Sequence, residues 1–107
     1  MYTDLSPENL ELEELCLLYQ GQYLGSLELT EQDSVILTAM GYYPYGASAA
    51  RSCTWSCDDP GVLPLSPLDG GTRCIVKALR PVDEDVTLVI DCGSFRVEIP
   101  VHISARG

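Results

Sequence analysis

Trp55-Ser56-Cys57-Asp58-Asp59-Pro60-Gly61-Val62 is the stretch from which the fold follows. Successive side chains of an extended backbone point to opposite faces. Cys53, Trp55 and Cys57 therefore share one face, and Thr54 and Ser56 the other. Apolar and polar residues alternating with period two mark a half-buried strand. Trp55 is the only tryptophan and the largest apolar side chain, so it is expected in the core. Asp58-Asp59-Pro60-Gly61 then ends the strand. Proline removes a backbone donor, and Asp bonds its own backbone two residues on.

The same period runs outward in both directions. Leu27 and Leu29, then Val35, Leu37 and Ala39, alternate with polar residues. Val62-Leu63-Pro64-Leu65 is confined to a sheet edge by its prolines. Asp69-Gly70-Gly71 predicts a tight hairpin turn, after which Cys74, Val76 and Ala78 face one way and Ile75 and Lys77 the other. An acidic turn spans Pro81 to Asp85, a strand Thr87 to Cys92, a two-residue turn Gly93-Ser94, and a last strand Phe95 to Ile103. Short strands at this spacing predict a sandwich or barrel. Upstream, Ser6-Pro7-Glu8 has the form of a helix start. Residues 14–19, followed by Gln20-Gly21-Gln22 and Tyr23-Leu24, are expected to form a strand feeding the sandwich.

Length and charge bound the function. A chain of 107 residues holds one domain. Sixteen acids against six bases give a net charge of −10, which repels nucleic acid and anionic membranes. No apolar run approaches the roughly 18–20 residues of a membrane span. Met1-Tyr2-Thr3-Asp4 lacks the features of a signal peptide, so export would require the sequence to be part of a longer chain. Five cysteines, an odd number, leave at least one thiol without a partner in the chain. Cys53 and Cys57 lie roughly 13 Å apart on an extended strand, too far to bond each other or to grip one zinc ion. Cys74 and Cys92, on later strands, face either of them in this reading.

The segment Trp55 to Val62 resembles the Trp-Ser-Ser-x-Asp-Pro-x-Val signature of bacterial immunoglobulin-like domains, group 2. Leu27-Glu28-Leu29-Thr30 and Val35-Ile36-Leu37-Thr38-Ala39 match that family's opening strands, Val76-Lys77-Ala78 its middle and Val101-His102-Ile103 its end. Asp83-Glu84-Asp85 stands where the family has a turn glycine, and five cysteines exceed its usual number. The resemblance implies an all-β, immunoglobulin-like sandwich of about seven antiparallel strands over residues 27–107, with residues 1–26 as an N-terminal extension. It implies a role as a structural or adhesive module of a bacterial surface or phage-associated protein, outside the cell or on its surface as part of a larger chain.

Candidate chemistry is sparse. His102 is the only histidine, and its neighbours Val101 and Ile103 point to the opposite face, so it is expected in solvent rather than beside a nucleophile. No phosphate loop or paired-histidine motif occurs, and a non-enzyme is expected. Threading the turns through a sandwich puts Glu31-Gln32-Asp33, Asp58-Asp59 and Asp83-Glu84-Asp85 at one end. A solvated acidic rim with no cofactor is the favoured reading; calcium, which takes 6–8 oxygen ligands, is the alternative, with Asp58, Asp59, Asp83, Glu84 and Asp85 as its candidate ligands. The opposite end would carry Tyr42, Tyr43 and Tyr45 in a glycine- and proline-framed loop, a candidate surface for a protein or glycan ligand.

Overall fold

The computed structural model describes residues 12–106. The helix start read at Ser6-Pro7-Glu8 lies outside the described residues. Two sheets face each other. The first contains β1 (Glu14–Tyr19), β2 (Gln22–Leu24), β4 (Ser34–Tyr42), β5 (Ser48–Ala50), β7 (Leu65–Leu68) and β8 (Arg73–Lys77), in the order β2-β1-β4-β8-β7 with β5 also on β4. The second contains β3 (Leu27–Thr30), β6 (Thr54–Cys57), β9 (Val86–Asp91) and β10 (Arg96–Ser104), in the order β3-β10-β9-β6.

Period two sorts the side chains as the sequence requires. Leu15 and Leu17 of β1, Leu37 and Ala39 of β4, and Cys74 and Val76 of β8 point inward from the first sheet. Leu27 and Leu29 of β3, Trp55 of β6, Leu88 and Ile90 of β9, and Ile99, Val101 and Ile103 of β10 meet them from the second. Each fully buried aliphatic side chain contributes roughly 1.5–3 kcal/mol, so the facing rows hold the sheets together. Pro67 sits in β7, an edge strand, where its missing N–H costs no ladder bond. Val62 and Leu63, read as the start of that strand, are instead buried in the turn before it. Their amides are held by the Asp59 carbonyl at 3.1 and 3.0 Å.

Two features differ from a seven-stranded antiparallel sandwich. Ten strands are present among the described residues, because the β1–β2 hairpin joins β4 and the short β5 folds back beside the end of β4. The pairing of β3 with β10 is parallel, with Leu27 opposite Val101 and Thr30 opposite Ser104. Its cause is a sheet switch: Gly25-Ser26 carries the chain from β2 in the first sheet to β3 at the edge of the second.

Strand directions give the sandwich two distinct ends. The first strand, β1, starts beside the end of β4, where the Glu13 amide bonds the Tyr42 carbonyl at 2.8 Å. The last, β10, ends at the far end, where the Ser104 carbonyl accepts the Glu31 amide at 2.8 Å.

Candidate functional site

The tyrosine end is built by β4 running out into a tight turn. Pro44–Gly46 form a 3-10 turn in which Tyr45 takes a left-handed φ of +65°. The turn is closed by the Tyr43 amide on the Ala47 carbonyl at 2.9 Å. The three tyrosines part company here. Tyr45 stands at the tip and is 83% exposed, Tyr42 on β4 is 37% exposed, and Tyr43 is turned in, at 6%. Tyr42 contacts the Cys16 thiol, whose charge, followed by burial, holds the Tyr42 phenol above its usual range. Tyr43 meets the side chain of Arg51, which also reaches Cys92. That contact places Cys92 and the Gly93-Ser94 turn beside the tyrosine loop.

Arg51 was not legible as a site residue. It lies between Ala50 and Ser52 with no motif around it. Its guanidinium is held above its usual range first by the bond to Cys92, and its Nε is buried without a hydrogen-bond partner among the described residues. The only sequence signal was a cation placed two residues before Cys53, which precedes the strand that carries the tryptophan.

All three acidic turns do lie at the other end. The turn after β3 is tied to the loop after β8 by Gln32 N–H to the Ala78 carbonyl at 2.6 Å and Ala78 N–H to the Asp33 carbonyl at 2.9 Å. The Asp58 carboxylate accepts the Thr87 amide at 2.9 Å, joining the turn after β6 to the start of β9. Asp85 accepts from His102 Nδ1 at 3.0 Å. Arg106 grips the exit: its amide donates to Glu31 at 2.8 Å and its guanidinium to Asp33 at 2.8 Å. The carboxylates of Glu31, Asp33, Asp58 and Asp85 are thus spent on backbone amides, one histidine and one arginine. Among the described residues no group of three or more His, Cys, Asp or Glu side chains is placed to hold a metal ion.

All five cysteines are free thiols. Cys57 donates its thiol to the Leu63 carbonyl at 3.3 Å. Cys53 and Cys74 are both pushed up to about 11, chiefly by burial, from an ordinary value of 9.0. The unfolded chain sheds these protons near pH 9 while the folded chain keeps them. The stability the buried thiols contribute is therefore complete below about pH 9 and is lost as pH rises through about 11. The melting temperature is expected to fall between pH 9 and 11 and to recover on return to pH 8. Cys74→Val is expected to flatten that decline, and an equal slope in both proteins would refute it.

No protein-family model matches the chain, and no curated protein matches it in sequence. Solved structures do match. Domains 4 and 5 of the S-layer protein SbsC superpose with a TM-score of 0.73 at 16% identity, covering 91% of this chain and 54% of that one. SbsC domains 4–9 give a TM-score of 0.74 at 16% identity, over 92% of this chain and 15% of that one. The chain spans about half the length of the two-domain SbsC structure and a small part of the longer one. Facing sheets, a buried tryptophan between them and this similarity make the chain an immunoglobulin-like β-sandwich.

Proposed function

We propose that the chain is a rigid, non-catalytic spacer module of a larger cell-surface protein, joined to its neighbours end to end. One observation carries the reading: the first strand, β1, starts at the tyrosine end and the last, β10, finishes at the acidic end. A module whose first and last strands open at opposite ends extends a string of modules, whereas one with both at the same end would only decorate it. The likeness to domains of a multidomain S-layer protein supports a surface setting. The stretch Trp55 to Val62 supports placing the module in group 2 of the bacterial immunoglobulin-like domains. Its partners in this reading are neighbouring protein modules rather than nucleic acid, from which the net charge of −10 keeps it apart. Among the described residues no helix is long and apolar enough to cross a membrane.

Head-to-tail fusions of one, two and three copies test this by small-angle X-ray scattering. The maximum dimension is expected to grow by a constant step of roughly 40 Å, a nine-residue strand with its end turns. Dimensions that level off after two copies would overturn the end-to-end arrangement.

The exposure of Tyr45 favours a second reading, in which the turn contacts a glycan or protein ligand. Tyr42 supplies the neighbouring surface, and Tyr43 supports the turn from below. Binding on a glycan array that disappears in Tyr45→Ser would favour this reading.

A further inference from the structure

The pairing of β6 with β9 brings two thiols face to face. Thr54 lies opposite Asp91 and Trp55 opposite Ile90, and one further step in that register sets Cys53 opposite Cys92. The Cys53 amide donates outward to the Gly71 carbonyl at 3.1 Å, and the Cys92 amide outward to the Phe95 carbonyl at 3.0 Å. Neither amide is spent on the opposite strand. That makes the pair the narrow, non-hydrogen-bonded kind, with Cα atoms roughly 4.5 Å apart. The separation falls inside the range that a disulfide spans. Both thiols are half-buried and open on a surface cleft of about 410 Å³ between Gly70 and Gly93. The Arg51 guanidinium is close to Cys92, a positive charge beside a sulfur that attacks as the thiolate.

We propose that Cys53 and Cys92 form a cross-strand dithiol that a small-molecule disulfide oxidises to an intramolecular bond, latching β6 to β9. The Cys92 thiolate attacks one sulfur of the small disulfide, forming a mixed disulfide and releasing the first thiolate. Cys53 then loses its proton to solvent and attacks the Cys92 sulfur, releasing the second. The protein gives up two electrons and two protons, and the small disulfide becomes two thiols. The other cysteines are poorly placed for the same chemistry. Cys57 is roughly 13 Å along the strand from Cys53, and Cys16 and Cys74 are buried. The proposal stands on β6–β9 geometry alone and is independent of the module's role.

The reduced full-length chain is incubated with oxidised glutathione at pH 8, quenched by alkylation, and examined by intact mass and by peptide mapping without reduction. The expected product has lost two hydrogens, carries no glutathione, and yields one cross-linked peptide joining Cys53 to Cys92. Two of the five thiols are consumed, leaving three for alkylation after unfolding. Cys53→Ser, checked for folding by circular dichroism, is expected to retain one glutathione on Cys92. A wild-type product that keeps glutathione on Cys92, a cross-link involving Cys16, Cys57 or Cys74, or no reaction at all would each overturn the proposal.

Discussion

Trp55→Ala is expected to lower the free energy of unfolding by about 3–5 kcal/mol, the range for truncating a large core aromatic. The indole is 7% exposed and packs among the inward side chains of both sheets. It also bridges them: Nε1 donates to the Gly71 carbonyl at 2.7 Å, from the second sheet to the turn between β7 and β8 of the first. The substitution removes the packing and the bridge together. A domain of this size has only about 5–15 kcal/mol in total, so a large part of its margin goes. Trp55→Phe separates the two contributions, keeping most of the apolar volume while losing the donor. Because the Gly71 carbonyl still receives the Cys53 amide at 3.1 Å, it is not orphaned, and the phenylalanine variant should lose only about 1–2 kcal/mol. Urea midpoints of the three proteins provide the comparison. A Trp55→Ala loss under about 1 kcal/mol would mean that the tryptophan does not sit where the sheets are joined.

Most of the sandwich was legible because alternation is a local property. The inward set Leu27, Leu29, Leu37, Ala39, Trp55, Cys74 and Val76 follows from period two alone. The turn at Asp69-Gly70-Gly71 follows from residue type. The parallel pairing of β3 with β10 does not, since Gly25-Ser26 offers no sign of which sheet the next strand will join. Strand partners are set by burial across the whole fold, and a parallel neighbour 74 residues away leaves no mark in the local pattern.

The candidate sites divide along the same line. Which turns share an end follows from strand order, and the three acidic turns do share one. What their carboxylates do there depends on partners far along the chain: Thr87 for Asp58, Arg106 for Glu31 and Asp33, and His102 for Asp85. Three tyrosines in four residues looked like one surface, but backbone geometry separates them. Tyr42 completes a strand, Tyr43 turns inward, and Tyr45 is lifted by a positive φ. The facing of Cys53 and Cys92 required the register, which the sequence left open between two cysteine partners.

Gly71→Ala is the sharper test of the joint that Trp55 makes, and it is expected to cost about 3 kcal/mol or more. Gly71 has φ of +98°, beyond the left-handed helical region that other residues tolerate. Strain of that kind costs of order 1–3 kcal/mol. A methyl group there would also overlap the Cys53 carbonyl oxygen, a backbone atom that cannot rotate away. Relieving the overlap moves either the turn or the start of β6. Either movement stretches the two bonds that converge on the Gly71 carbonyl, from the Cys53 amide and the Trp55 indole. Gly70 provides the control one residue away. Its φ of +72° and ψ of 15° are left-handed helical, and the nearest atom to an added methyl is Ser52 Oγ at 3.9 Å. Gly70→Ala should therefore cost about 1 kcal/mol, the backbone preference without the overlap. The single tryptophan makes emission a direct readout of the joint. Gly71→Ala should shift it to longer wavelength in the folded protein, and Gly70→Ala should leave it unchanged. Equal losses in the two variants would show that backbone conformation alone, rather than contact between the turn and β6, sets the requirement for glycine at position 71.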